Sequence, residues 1–178
     1  MFQIAIAALG EMPSPNVCKQ ALEFIDELMK CCPRPLTLML GGYWGLMKVV
    51  VDHVIEKYSD VNIILFLPLE REDVKVPKKV IRIKTGLTFK ARSIPLVRSA
   101  DVLVVLGGAS GTILEAIAAY AQGIPVVILT GTGLPSDILE RAYPLGFDHR
   151  RLAEVIFASK PKDAAKHVCR LLSRRSII

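Results

Sequence analysis

Residues 102–115 read VLVVLGGASGTILE and contain the pattern from which the architecture of the whole chain can be predicted. The first five residues are all valine or leucine, as expected of a strand that is buried on both faces of a parallel sheet. A glycine-rich turn follows at residues 107–111, and the apolar stretch 111–121 predicts a helix. A buried strand that leads through a glycine turn into a helix is the building unit of parallel α/β sheets.

The same alternation continues in both directions from this stretch. Strands are predicted at residues 2–9, 36–40, 62–67, 80–83, 102–106, 125–129 and 154–159. Helices are predicted at residues 16–31, 45–58, 89–100, 111–121, 136–141 and 162–173. Of the 178 residues, 52% are apolar and only 6% are aromatic, which is typical of aliphatic parallel strands. We expect one domain over residues 1–178, an α/β fold with a doubly wound parallel sheet of about seven strands and helices on both faces.

Charge and hydropathy narrow the classes of partner. The net charge of +6, from 23 basic and 17 acidic residues, suits a small phosphate-bearing ligand and is too small to make nucleic acid the expected partner. Residues 102–136 carry one charge, Glu115, but glycine, serine and proline interrupt the stretch, so we expect no membrane span. The N-terminus lacks the basic region of a signal peptide, which predicts a cytoplasmic protein. The scarcity of Asn and Gln is typical of thermophilic proteins.

The four cysteines give no metal motif. No CxxC pair occurs, and the adjacent Cys31 and Cys32 cannot both serve an ordinary structural zinc site. We expect Cys18, Cys31, Cys32 and Cys169 to be small apolar residues or reduced thiols, and we expect neither a metal nor a cofactor.

Two strand-to-helix turns are rich in glycine, and parallel sheets bind ligands at this edge. Glycine allows the backbone to approach a ligand closely, and the first N–H groups of the following helix then point at a phosphate. Neither turn is a GxGxxG or Walker sequence, so a purely structural turn is the alternative. The predicted ligand-binding residues are Gly41, Gly42, Gly45, Gly107, Gly108, Ala109, Ser110, Gly111, Thr112 and Gly131. Trp44 lies in the first turn and either stacks on a base or covers the loop.

Glu115 follows Thr112 by three residues, and this spacing has two interpretations. One is a capping box, in which Thr112 caps the helix and Glu115 reaches back to it. The other is a partly buried carboxylate that serves as an acid, a base or an acceptor for a ribose hydroxyl. Arg92 lies near the start of the helix predicted at residues 89–100, which precedes the strand at residues 102–106. It is the one residue of the basic segment 75–98 that we expect to reach a ligand phosphate.

These residues resemble a known superfamily. Residues 41–47, GGYWGLM, resemble the GGGxxGLM turn of the Lonely Guy proteins and the molybdenum-cofactor carrier proteins. Residues 107–115 resemble the PGGxGTxxE motif, and residues 123–127 resemble the GKPV segment. The resemblance covers about residues 2–130 and implies a Rossmann-like fold in a homodimer or larger homo-oligomer. It also implies a phosphorylated nucleotide or pterin as ligand and excludes the lysine decarboxylase activity after which the superfamily was once named.

The resemblance supports two functions. Lonely Guy enzymes cleave the N-glycosidic bond of nucleoside 5′-monophosphates, which implies Glu115 and Arg92 as the catalytic pair here. Our first hypothesis is therefore a phosphoribohydrolase that releases a free base. The alternative is a non-catalytic carrier or sensor of a phosphorylated pterin, such as the molybdenum cofactor, or of a nucleotide. Gly107 in place of proline, Ala109 in place of glycine and Ser93 in place of lysine resemble the carrier branch.

Overall fold

A computed structural model describes residues 1–175 of the chain. The strands are β1 (Phe2–Ala7), β2 (Leu36–Leu40), β3 (Val61–Leu67), β4 (Ile81–Lys84), β5 (Val102–Val105), β6 (Val126–Leu129) and β7 (Val155–Ala158). The helices are α1 (Pro15–Cys31), α2 (Gly45–Lys57), α3 (Ser93–Arg98), α4 (Ser110–Ala121), α5 (Ile138–Ala142) and α6 (Pro161–Arg175). Short 3₁₀ turns occupy Leu69–Arg71 and Pro135–Asp137.

The strands form one seven-stranded sheet in the order β4-β3-β2-β1-β5-β6-β7, and every pair is parallel. β1 lies at the centre, where Ile4 is paired with Leu38 of β2 and with Val102 of β5. The chain builds outward from β1 to β4 on one side and from β5 to β7 on the other. The order therefore reverses between β1 and β5, and the predicted seven-stranded, Rossmann-like sheet is confirmed.

Helices cover both faces of the sheet, as predicted. Side chains alternate along each strand, so Ile4 and Ile6 of β1 join one apolar cluster while Ala5 and Ala7 join the other. The first cluster contains buried residues of α1, α2 and α6, and the second contains buried residues of α3, α4 and α5. Burial on both faces explains why the inner strands are almost continuously apolar, whereas the exposed edge strand β4 contains Arg82 and Lys84.

The observed elements test the predicted start of the helix before β5 and the interpretation of the apolar stretch 102–136. α3 begins at Ser93 rather than at Phe89, because Pro95 has no N–H to donate to the carbonyl of Ala91 and so interrupts a continuous helix. The apolar stretch 102–136 forms β5, α4 and β6, and among the described residues no helix has the length and apolar character needed to cross a membrane.

The expectation that all four cysteines are reduced is wrong. Cys31 at the end of α1 and Cys169 in α6 form a disulfide across 138 residues of sequence, while Cys18 and Cys32 are free. The cause is the close packing of α1 against α6, which brings together two residues that are remote in sequence.

Candidate functional site

A cleft of about 380 Å³ opens at the carboxyl edge of the sheet, at the reversal of strand order. The loops after β1, β2 and β5 form most of it, and the segments before α3 close one side. It is lined by Ala8, Leu9, Gly10, Glu11, Trp44, Met47, Arg71, Phe89, Arg92, Ala109, Gly111, Thr112 and Glu115. This is the position at which doubly wound sheets bind ligands.

Arg92 and Glu115 meet in this cleft. Arg92 Nη1 donates a hydrogen bond of 3.0 Å to Glu115 Oε1, and Ser93 Oγ donates one of 2.8 Å to the same oxygen. Both charged side chains are 8% exposed. Burial raises the pKa of Glu115 above its ordinary value, against the opposing effects of Arg92 and Ser93. Burial also lowers the pKa of Arg92, against the attraction of Glu115, so each charge depends on the other for its stability.

The capping-box interpretation of Glu115 is wrong. α4 begins at Ser110 with Ala109 as its N-cap residue, and no side chain caps this end. Thr112 therefore lies inside the helix, and the carboxylate of Glu115 bonds to Arg92 and Ser93 instead. The N–H groups of Ser110, Gly111 and Thr112 belong to the first helical turn and have no acceptor within the helix. They are available to an anion, and the helix dipole adds a partial positive charge there.

One donor of Arg92 is left without a partner. Its Nε atom is buried and forms no hydrogen bond with any described residue. Buried guanidinium donors are normally satisfied, so this unpaired N–H is an exception that costs free energy. The guanidinium itself lies against the backbone of Gly41, where a Cβ atom would come closer than 3.0 Å to Nη1, Cζ and Nη2. Gly41 thus leaves the space that the guanidinium of Arg92 occupies.

Four of the other predicted glycines, Gly42, Gly45, Gly107 and Gly108, are not among the residues that line the cleft. Gly42 lies under the ring of Trp44, and Gly45, with φ of +54°, lies against the backbone of Glu11. Gly108 donates its N–H to Ser136 Oγ over 3.0 Å, so this amide is not available to a phosphate. Gly107, with φ of +103°, is buried at the end of β5.

The structure brings together Arg92, Ala109, Gly111, Thr112 and Glu115 of the predicted set at the cleft surface. Ser110 begins the same helical turn. Gly131 lies elsewhere: it is exposed after β6 and is not among the residues that line the cleft.

One side of the cleft is lined by Trp44, Arg71 and Phe89, of which only Trp44 was predicted from the sequence. The guanidinium of Arg71 lies 5.1 Å from the ring centroid of Trp44, and the ring of Phe89 meets Trp44 edge-on at 6.0 Å. Arg71 belongs to the connection between the strands predicted at residues 62–67 and 80–83. Its sequence carries no local signal for a ligand site, because only the return of this loop over the sheet edge places Arg71 beside Trp44.

Comparison with solved structures supports this description of the fold. The X-ray structure of TM1055, a structural genomics target, is 29% identical, with 94% of this chain and 98% of that chain covered and a TM-score of 0.79. The molybdenum cofactor carrier protein MCP from Chlamydomonas reinhardtii is 25% identical, with coverages of 97% and 98% and a TM-score of 0.72. The molybdenum cofactor binding protein from the phototrophic bacterium Rippkaea orientalis is 23% identical, with coverages of 96% and 97% and a TM-score of 0.74.

The sequence comparison gives the family. A search among curated proteins finds no match. The model of the SLOG cluster4 family matches residues 3–165, which is most of the chain. Together with the structural neighbours, this match confirms the resemblance to the Lonely Guy and molybdenum-cofactor carrier superfamily. The chain belongs to the SLOG cluster4 family.

Proposed function

We propose that the cleft binds a small phosphorylated ligand with a flat heterocycle, a pterin or a nucleotide, and that the protein carries this ligand without cleaving it. The observation that supports this most directly is the combination of unpaired anion-binding groups with an aromatic wall. The free N–H groups at the start of α4 and the guanidinium of Arg71 suit a phosphate. The indole of Trp44 suits a flat ring.

The hydrogen bonds of Glu115 favour a carrier over a hydrolase. Its Oε1 atom already accepts hydrogen bonds from Arg92 and Ser93, and the guanidinium of Arg92 is held against Gly41. A carboxylate whose charge is compensated by Arg92, and whose Oε1 also accepts a hydrogen bond from Ser93, is well suited to hold the base of a site rigid. The 25% identical relative from Chlamydomonas reinhardtii is named a carrier of the molybdenum cofactor, which makes a phosphorylated pterin the first cargo to test.

Binding is tested by calorimetric titration with the purified molybdenum cofactor and with AMP, followed by recovery of the ligand. We expect stoichiometric binding of one of them and recovery of the intact molecule. The Arg71→Ala variant should bind more weakly, whereas Arg82→Ala, which removes an exposed arginine of β4, should bind as the native protein does. Equal affinity of both variants would contradict the assignment of Arg71 to the ligand site.

A second function, hydrolysis of the N-glycosidic bond of a nucleoside 5′-monophosphate, is favoured by the presence of both Arg92 and Glu115 at the cleft surface. Glu115 would polarise the attacking water or stabilise an oxocarbenium-like ribose, and Arg92 would orient the ribose phosphate. Chromatography of a panel of nucleoside monophosphates would detect the free base. Release that is abolished by Glu115→Gln, with ligand binding retained, would establish hydrolysis and reject the carrier proposal.

A further inference from the structure

Three cysteines converge at the edge of the sheet opposite the cleft. Cys31 ends α1, Cys32 directly follows it, and both precede the amino end of β2, while Cys169 lies on α6. The three Sγ atoms lie within 4.8 Å of one another. Cys31 and Cys169 form the disulfide, and the free Sγ of Cys32 lies 2.7 Å from Sγ of Cys169. Cys169 therefore contacts two candidate partners, one bonded and one free.

The two candidate partners differ in their exposure to solvent. Cys31 is exposed, whereas Cys32 and Cys169 are 8% and 6% exposed. Burial raises the pKa of the Cys32 thiol to about 12, with the charge of Arg34 acting in the opposite direction. In the arrangement observed, the free thiol of the cluster is thus both shielded from solvent and protonated at neutral pH.

The placement of Cys32 follows from the way α1 ends. Cys32 leaves the helix with extended backbone angles, φ of −77° and ψ of 140°, while its N–H still bonds to the carbonyl of Leu28. The chain therefore stays close to α6 for one residue beyond the helix. Two consecutive residues, one helical and one extended, can then direct their sulfur atoms at the same residue of α6.

We propose that Cys32 exchanges with Cys31 for the bond to Cys169, and that Cys31 is thereby released as an exposed thiol open to modification by soft electrophiles. In this step the small fraction of Cys32 that has lost its proton attacks Sγ of Cys169 as the thiolate and forms the Cys32–Cys169 bond. The Cys31–Cys169 bond breaks, Cys31 leaves as a thiolate, and it takes up the proton that Cys32 has lost. One disulfide and one thiol are present before and after, so no oxidant or reductant is required.

The exchange can be followed by placing labels on individual thiols in a Cys18→Ser background, which removes the other free cysteine. One sample of the oxidised protein is denatured in acid, to stop exchange, before alkylation with N-ethylmaleimide. A second sample is alkylated slowly in the native state. Tandem mass spectrometry of the peptide that begins after Lys30 then locates the label on Cys31 or on Cys32. We expect the label on Cys32 in the first sample and on Cys31 in the second, with a Cys32–Cys169 disulfide.

Two variants test the roles of Cys32 and Cys31 separately. Cys32→Ser removes the attacking thiol, so labelling of Cys31 in the native state should be lost. Cys31→Ser should form the Cys32–Cys169 disulfide on mild oxidation, in protein shown to be folded by circular dichroism. The proposal is overturned if native labelling falls on Cys32 while Cys31 stays bonded. It is also overturned if folded Cys31→Ser forms no such bond, or if native mass spectrometry finds the three sulfurs occupied by a metal ion.

Discussion

Gly41→Ala should disrupt the Arg92–Glu115 pair although Gly41 belongs to neither partner. A Cβ atom at this position would come closer than 3.0 Å to three atoms of the Arg92 guanidinium, where ordinary contact begins at 3.4 Å. The guanidinium must therefore move, and its 3.0 Å bond to Glu115 lengthens or breaks. Because Glu115 is 8% exposed on its side chain, water cannot readily replace the lost partner.

The size of the effect follows from the burial of the pair. Loss of one partner from a buried ion pair costs about 3–5 kcal/mol, because the other charge is left uncompensated. Replacing glycine by alanine offsets about 0.5–1 kcal/mol of this by restricting the unfolded chain. We therefore expect Gly41→Ala to lower the free energy of unfolding by about 2–4 kcal/mol.

The mechanism is tested by a double-mutant cycle with Glu115→Gln, measured by urea unfolding followed by circular dichroism. If the alanine acts through the ion pair, its cost should fall in the Glu115→Gln background, with a coupling of about 2 kcal/mol. Gly111→Ala is the matched control, because its Cβ would lie 3.6 Å from Lys90 Nζ, in ordinary contact, and should not destabilise the protein. Additive costs for Gly41→Ala and Glu115→Gln would refute this reasoning.

Three further predictions concern other parts of the structure. Gly45→Ala should lower the free energy of unfolding by about 1–3 kcal/mol more than Gly86→Ala does, as measured in urea. Both glycines have positive φ, but a Cβ added at Gly45 would lie 2.5 Å from the backbone oxygen of Glu11, whereas a Cβ added at Gly86 would meet nothing within 4 Å. A hydrogen bond from Arg150 holds the pKa of Asp148 below its ordinary value of 3.8. This contribution is present above pH 3.8 and disappears as the pH falls towards the folded-state pKa, so the difference in Tm between the native protein and Asp148→Asn should vanish in acid. Trp44→Ala should weaken binding of the cargo in calorimetry more than Trp44→Phe, which keeps an aromatic face.

The sheet could be predicted from the sequence because its inner strands, such as β2, β5 and β6, are buried on both faces. Parallel strands covered on each side must be apolar at every position, so residues such as 102–105 stand out without any partner being known. The glycine turns could be located for a different reason, since glycine allows a tight turn between a strand and a helix at the carboxyl edge. A local sequence pattern was sufficient to predict the features that depend on residues close together in the chain.

The features that could not be predicted from the sequence depend on contacts between segments that are far apart in the chain. The spacing of Thr112 and Glu115 fits a capping box, but the carboxylate of Glu115 instead accepts hydrogen bonds from Arg92 and Ser93, more than 20 residues earlier. The disulfide of Cys169 likewise depends on helix packing and has no signature in the cysteine spacing. In both cases a tertiary contact outweighed the local interpretation.

Arg92 connects the two glycine turns, and this connection separates the two candidate functions. Its guanidinium lies over Gly41 at the end of β2 and bonds to Glu115 in the helix after β5, so it spans the central strand β1. A hydrolase needs a carboxylate oxygen of Glu115 to accept a hydrogen bond from water or ribose during each turnover, and because Arg92 and Ser93 both bond to Oε1, that oxygen is Oε2. A carrier needs both bonds to persist, since they hold the floor of the cleft against its cargo. The partner that Oε2 of Glu115 takes when ligand is bound therefore distinguishes a catalytic carboxylate from a structural one.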